Sequence, residues 1–427
     1  VRNGTSGQGR PSVGAKDVSE VGSNRRLPLV DSLRAGAALL IFAYHALFVT
    51  GNLSSTHYGW YLNIGVPLFY AISGLLLFGP FAGHLIEGSA PSGIRSYARH
   101  RLFRIVPAYW IALPLVAVLL GRVGQVFTPS GVLTYFGMAQ AYSLKTFVGG
   151  IGQAWTLTVE VAFYAFLPFW AWLCSAALSG CESELQRVRR LIVLVGGLVL
   201  ASIGWKLAVV HHVGNDIPSA VVPLTALPAA LDQFCVGMLV SILVLARKRE
   251  IGSGRVLGFF SEWPAVGIFC AAAAYWGIGE IDGVGLFSGS PLFGRGARTI
   301  IEHEGKALFA AGLLLAGVAA SPGFGVVGRV LAWRPLRWVG EVSYGFYLWH
   351  LALLTVVAGN AKWALGDHGL IANPSGVGVT ASWQLISLAV AIAFVASLVV
   401  AWISWQWIER PFIRRSHSTA SETSSIR

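Results

Sequence analysis

This sequence is poor in charge. Asp, Glu, Lys and Arg together make up 12% of its 427 residues, about half the share found in a typical soluble domain. That leaves too little polar surface to face water, which excludes an ordinary soluble globular protein. Cysteine is scarcer still, with Cys174, Cys181, Cys235 and Cys270 the only four. No two of them form a C-x-x-C pair, so a zinc framework and a disulfide scaffold are excluded, and they read as small buried apolar residues. No internal repeat is visible, and the repeated halves of many secondary transporters are therefore missing. Acidic residues number 19 against 31 basic ones, for a net charge of +12. The basic residues stand in short groups between apolar runs, a pattern that orients membrane proteins and argues against a nucleic-acid partner.

What is present in quantity is apolar sequence, 55% of the chain. Stretches close to the ~20 residues needed to cross a bilayer as a helix recur from Leu33 to Ile408. Ten spans are predicted, near 33–50, 60–82, 103–120, 155–178, 191–210, 222–246, 257–278, 306–320, 341–359 and 383–408. The eighth is short and its start is the least defined. The fold class expected is all-α, a polytopic membrane protein of about ten transmembrane helices. With both termini placed in the cytoplasm, 23 lysines and arginines fall in inner segments and 7 in outer ones, Lys362 among the latter. This bias satisfies the positive-inside rule. Residues 27–413 are expected to form the membrane domain, with 1–26 and 414–427 as disordered cytoplasmic tails of Gly/Ser-rich and Ser/Thr-rich composition.

Ionisable residues inside spans are costly and mark function by default. In the first span Arg34 and His45 are eleven residues apart, three turns plus about 20°, and so share one helix face. The rise between them is roughly 16 Å. His45 reads either as a hydrogen-bonded structural histidine or as a base able to take a proton from an alcohol. Arg34 reads as an interface anchor or as an anion ligand. Glu160 stands at the outer start of the fourth span, which runs opposite to the first. The two directions bring it to the depth of His45, where it reads either as a carboxylate that orients the imidazole as in a catalytic triad or as a Glu exposed at the interface. Arg101 and Arg104, spaced i,i+3 on one face, suit polyphosphate binding as well as simple anchoring. In the ninth span Ser343, Tyr347 and His350 fall on one stripe, lining a pocket or bonding between helices.

These segments together resemble acyltransferase family 3, membrane O-acyltransferases that modify envelope polysaccharides and some antibiotics. The resemblance runs in order through Arg34-x10-His45, Phe69-Tyr-Ala-Ile-Ser73-Gly74-Leu75, Arg101-x-x-Arg104 with Pro107, Trp155-Thr-Leu-Thr-Val-Glu160 with Phe163 and Tyr164, and Val342-Ser343-Tyr344-Gly-Phe-Tyr347-Leu-Trp-His350. It closes on Ile408-Glu409-Arg410-Pro411-Phe412. Thr156 stands where the family commonly has Ser, and Tyr70 and Ala71 depart slightly from its pattern. The resemblance implies acyl-CoA as co-substrate and no metal, His45 as essential base, and Arg34, Arg101 and Arg104 near the donor. The acceptor it implies carries a hydroxyl, on a glycan, a glycolipid or a macrolide-type metabolite.

Tyr44, Ser73, Trp155, Tyr164, Tyr347 and His350 are expected around the substrate, and the lipid bilayer is the remaining partner. The location expected is the bacterial plasma membrane, as a multi-pass protein. A rival from another class is a proton-coupled transporter or flippase in which His45, Glu160 and His350 relay protons.

Overall fold

A computed structural model of the chain describes residues 28–53, 56, 58–90, 93–213, 216–252, 255–282, 295–320, 325–359 and 383–416. Nearly all of both expected tails, and Lys362, lie outside the described residues. Ten long helices are found among the described residues: α1 (Pro28–Val49), α2 (Gly65–Glu87), α3 (Ile94–Leu119), α4 (Trp155–Ala177), α5 (Glu184–Val213), α6 (Leu227–Lys248), α7 (Pro264–Asp282), α8 (Arg295–Ala319), α9 (Ser343–Leu354) and α10 (Trp383–Ser404). There is no strand among the described residues. The all-α expectation therefore holds, and the ten helices fall on the ten predicted spans.

Among the described residues eight stretches are long and apolar enough to cross a bilayer. A ninth comes from α9 and its π-helical extension to Gly359, joined through a 77° bend to the short helix Arg334–Glu341. The tenth, α8, carries ionisable residues through its first half. It starts eleven residues before the predicted 306 because Arg298, Glu302, Glu304 and Lys306 conceal it from any reading of apolar runs. Helix α3 likewise starts before its apolar run, at Ile94, so its first turns carry Arg95, Arg99, Arg101 and Arg104. Gly88 (φ +78°) ends α2 and Gly93 (φ +76°) precedes α3. Both take the left-handed conformation in which a Cβ is strained, and the arginine-rich start of α3 meets the end of α2 where the Phe81 and Tyr97 rings lie 5.3 Å apart.

Helices in a bilayer gain little from apolar burial against one another, so close backbone approach through small residues does more of the work. At the α2–α6 crossing, a Cβ on Gly74 would collide with the Phe234 carbonyl, and one on Gly237 with the Ala71 carbonyl. Beside it, the Phe234 ring is stacked between Tyr70 (centroids 4.6 Å) and Phe163 (3.9 Å), which ties α2, α6 and α4 together. Gly237→Val is therefore expected to cost at least the ~1–3 kcal/mol of an overpacked core, read as a lower melting temperature in detergent. An unchanged melting temperature would mean the two helices do not pack this closely.

The charges of α8 find partners across the bundle. Lys206 on α5, with no exposed surface, lies 3.1 Å from Asp232 on α6 and 2.5 Å from Glu304 on α8. Ser202 donates to the other Asp232 oxygen at 3.1 Å, and Lys306 pairs with Glu302 one turn away. Removing one member of a buried ion network strands the others. Lys206→Met is thus expected to destabilise by about 3–5 kcal/mol, whereas joint replacement of Lys206, Asp232 and Glu304 by apolar residues restores most of the loss, as thermal unfolding would show.

Three of the cysteines, Cys174, Cys181 and Cys235, are buried and free, as expected. Cys270 on α7 is different: it is exposed.

Candidate active site

Helices α1, α2, α3, α4 and α9 enclose a cavity of about 90 Å³, room for several water molecules or the end of an extended chain. Arg34 (α1), Ser73 (α2), Arg101 and Arg104 (α3), Glu160 and Tyr164 (α4), and Ser343, Tyr344 and Tyr347 (α9) line it, with Phe69 and other apolar side chains between. The three arginines grouped from the sequence thus converge on one space, although they come from two separate helices.

Their electrostatics are unbalanced. Arg34, Arg101 and Arg104 make no hydrogen bond or close ion pair with any described residue, and the Arg101 Nε is buried without an acceptor. The single carboxylate lining the space is already engaged, because Glu160 Oε1 accepts from Ser73 Oγ and Tyr164 OH, both at 2.7 Å. Ser343 Oγ, fully buried, also has no partner among the described residues. Within the lining three guanidiniums face one carboxylate, while Asp31 acts on Arg34 and Glu409 on Arg104 and Arg34 from outside it; guanidiniums left without hydrogen bonds in a low-dielectric interior favour an anion.

His45 and Glu160 do not pair. The partner of His45 is instead His350: His45 Nδ1 lies 2.9 Å from His350 Nε2, and the ring centroids are 5.0 Å apart. This histidine pair does not line the cavity. It stands next to the Tyr347 end of it, since the His350 and Tyr347 rings are 5.8 Å apart and the Tyr347 and Phe69 rings 6.2 Å. Tyr44 lies beyond, edge-on to His45 at 5.2 Å, and is followed by half-exposed Trp60 at 6.4 Å. Trp155 does not reach the cavity; its ring stacks on Phe147 at 5.2 Å. Of the residues expected around the substrate, Ser73, Tyr164 and Tyr347 line the arginine cavity, while Tyr44 and His350 gather round His45.

Two residues of the neighbourhood were given no role at the site from the sequence, although Glu409 stands in the closing motif. Gln153, buried in the turn before α4, donates to the Tyr347 carbonyl at 2.7 Å and the Leu348 carbonyl at 3.1 Å, and its own carbonyl accepts from Tyr347 OH at 2.6 Å. Nothing in its local sequence marks it out. Glu409, at the end of the last span, is 1% exposed. Its Oε1 accepts from Ser404 Oγ at 3.1 Å, its Oε2 has no described partner, and the charges of Arg104 and Arg34 reach it. A carboxylate at the close of an apolar run was a signal available in the sequence.

Comparison with known proteins gives this arrangement a family. The acyltransferase-3 family model, described as an acyltransferase domain, matches residues 28–406. The chain is similar to the peptidoglycan O-acetyltransferase OatA of Listeria monocytogenes, 23% identical over 402 residues that cover 91% of this chain and 56% of that protein. It is similar also to YrhL of Bacillus subtilis, 24% identical over 408 residues, covering 91% of this chain and 55% of the other. The chain therefore spans about half the length of these two relatives. Nodulation protein 10 of Rhizobium leguminosarum is 23% identical over 411 residues, covering 89% of this chain and 95% of its own length. No solved structure matches. The residues matched run from the start of α1 to the end of the last span and take in the arginine cavity and both histidines, so the chain is a multi-pass membrane protein of the acyltransferase 3 family.

Proposed function

We propose that this protein is a membrane O-acyltransferase that moves a short acyl group, acetyl above all, from acyl-CoA to a hydroxyl of a carbohydrate or glycolipid. The observation that carries the reading is the cavity with three guanidiniums that no described residue pairs. Phosphates of a CoA thioester supply the anion such a site favours, and Arg forks match phosphate oxygens. Glu160, held by Ser73 and Tyr164, offsets part of the charge. Similarity to OatA, a peptidoglycan O-acetyltransferase, supports a glycan acceptor.

In this mechanism His45 is the general base. The acceptor oxygen attacks the thioester carbonyl as its proton passes to His45, the C–S bond breaks, and the CoA sulfur leaves with that proton. The roughly 16 Å between Arg34 and His45 along α1 is spanned by an extended pantetheine arm, with phosphates at the arginines and the thioester at the imidazole. Both termini are placed in the cytoplasm, so that acyl-CoA enters at the arginine-rich mouth and the acceptor meets His45 from the other face.

Purified protein in nanodiscs, given acetyl-CoA and glycan fragments of a bacterial cell wall, is expected to release free CoA thiol only when acceptor is present. Absence of both thiol release and acetylated product across glycan and glycolipid acceptors would overturn the reading. Orientation has its own test. Alkaline phosphatase fused after the last span is expected to be inactive and a fluorescent protein there bright; the reverse pattern would place the arginines on the outer face.

A further inference from the structure

We propose that His350 is a positioning residue that fixes the tautomer of His45, so that the Nε2 of His45 is the nitrogen left free to take a proton. This rests on the acyl-transfer reading for its consequence but not for its geometry.

The argument starts from an atom with no choice of role. His350 Nδ1 lies 2.9 Å from the Tyr347 carbonyl and 3.1 Å from the Phe346 carbonyl. A carbonyl oxygen only accepts, so the proton of a neutral His350 sits on Nδ1. Its Nε2 then presents a lone pair, and that lone pair faces His45 Nδ1 at 2.9 Å. Two lone pairs cannot meet at that distance, so His45 carries its proton on Nδ1 and donates it to His350. The consequence is a vacant Nε2 on His45. With both rings neutral, this arrangement satisfies the contact between them, and the Ile41 carbonyl one turn back, which also acts on the His45 ring, is compatible with it.

The surroundings hold that arrangement in place. His350 is 1% exposed and its ring lies parallel to Phe346, 9° between planes with centroids 5.7 Å apart. The Tyr347 carbonyl that it bonds is also held by Gln153, so the acceptor that starts the chain cannot swing away. His45 is the less buried ring of the two, with its free nitrogen on the side away from His350. When Nε2 takes the acceptor's proton, the Nδ1–H bond to His350 persists and stabilises the imidazolium. A backbone carbonyl and a second imidazole thus do what a carboxylate does in a Ser-His-Asp triad, and Glu160 is left to the arginine cavity.

Two readings test this on the full chain in nanodiscs. The first is nitrogen-15 NMR of histidine-labelled resting protein, with His45 assigned by its loss in His45→Ala. The expected spectrum shows His45 protonated at Nδ1 and bare at Nε2, with the Nδ1 proton lost to the opposite tautomer in His350→Leu. A wild-type His45 protonated at Nε2 overturns the proposal. The second is kinetic: His350→Leu is expected to lower kcat by about 10²–10⁴-fold, the range seen when a base is held in the wrong tautomer or lost, with KM for acetyl-CoA unchanged.

His350→Gln, whose side-chain oxygen can accept from His45 Nδ1, is expected to recover part of kcat. It also serves as the folded control should the leucine variant not assemble. A kcat within about threefold of wild type in His350→Leu, or a glutamine variant no better than leucine, overturns the positioning role. Because the NMR reading needs no turnover, a protein that fails to transfer acetyl groups still reports its tautomer. Failure of the acyl-transfer reading and failure of this one are therefore separable.

Discussion

His45→Ala is expected to lower kcat for acyl transfer by about 10²–10⁴-fold, the contribution of a general base, while acyl-CoA still binds. The acceptor hydroxyl is a poor nucleophile until its proton has somewhere to go, and His45 is the half-buried imidazole at the end of the α1 face that starts at Arg34. The arginine cavity does not include His45, so its removal leaves the donor's anionic end untouched. Loss of the side chain does strand His350 Nε2, a buried acceptor, at a cost of about 1–3 kcal/mol. Thermal melting should register that small loss, and the rate of CoA release the much larger one. A purified His45→Ala protein transferring acyl groups at the wild-type rate would end the assignment of His45 as base.

The second large effect is expected on donor affinity. Arg101 and Arg104 line the cavity from successive turns of α3, with no described acceptor for either. A hydrogen bond to a charged group is worth about 1.5–3 kcal/mol, so Arg101→Ala combined with Arg104→Ala should weaken acyl-CoA by about 10²–10⁴-fold. KM for acetyl-CoA should rise, with kcat at saturation much less affected. Lysines at both positions keep the charge but not the planar fork, and are expected to recover only part of the affinity. Titration of acyl-CoA into the purified variants would check this without turnover. An unchanged affinity would remove the arginines from donor binding and leave them as interface anchors.

How much of this could be seen beforehand differed from element to element. The spans of α1, α2 and α4 were legible because each is a near-continuous apolar run of bilayer length, and hydropathy is a local property of the chain. Helix α8 was legible only in its second half. The ionisable residues of its first half are tolerated because Glu304 pairs with Lys206 of α5, which also pairs with Asp232 of α6, and no local reading contains those partners.

The site divides along the same line. Arg34 and His45 share a face by helical period alone, and Arg101 with Arg104 likewise, so their grouping was available from spacing. The depth argument that joined Glu160 to His45 used only helix direction, and direction does not say which helices are neighbours or which way a side chain turns. Ser73 on α2 and Tyr164 one turn along α4 hold Glu160 in the arginine cavity, and α9 delivers His350 to His45 across 305 residues of chain.

The sequence by itself determined a membrane protein of about ten helices and the residue types able to carry its chemistry, because burial in lipid is written residue by residue into composition. Only the tertiary structure decided that the arginines enclose one cavity and that the base is paired with a second histidine. Those are contacts between helices distant in sequence, set by small-residue crossings and buried polar bonds that no single segment contains.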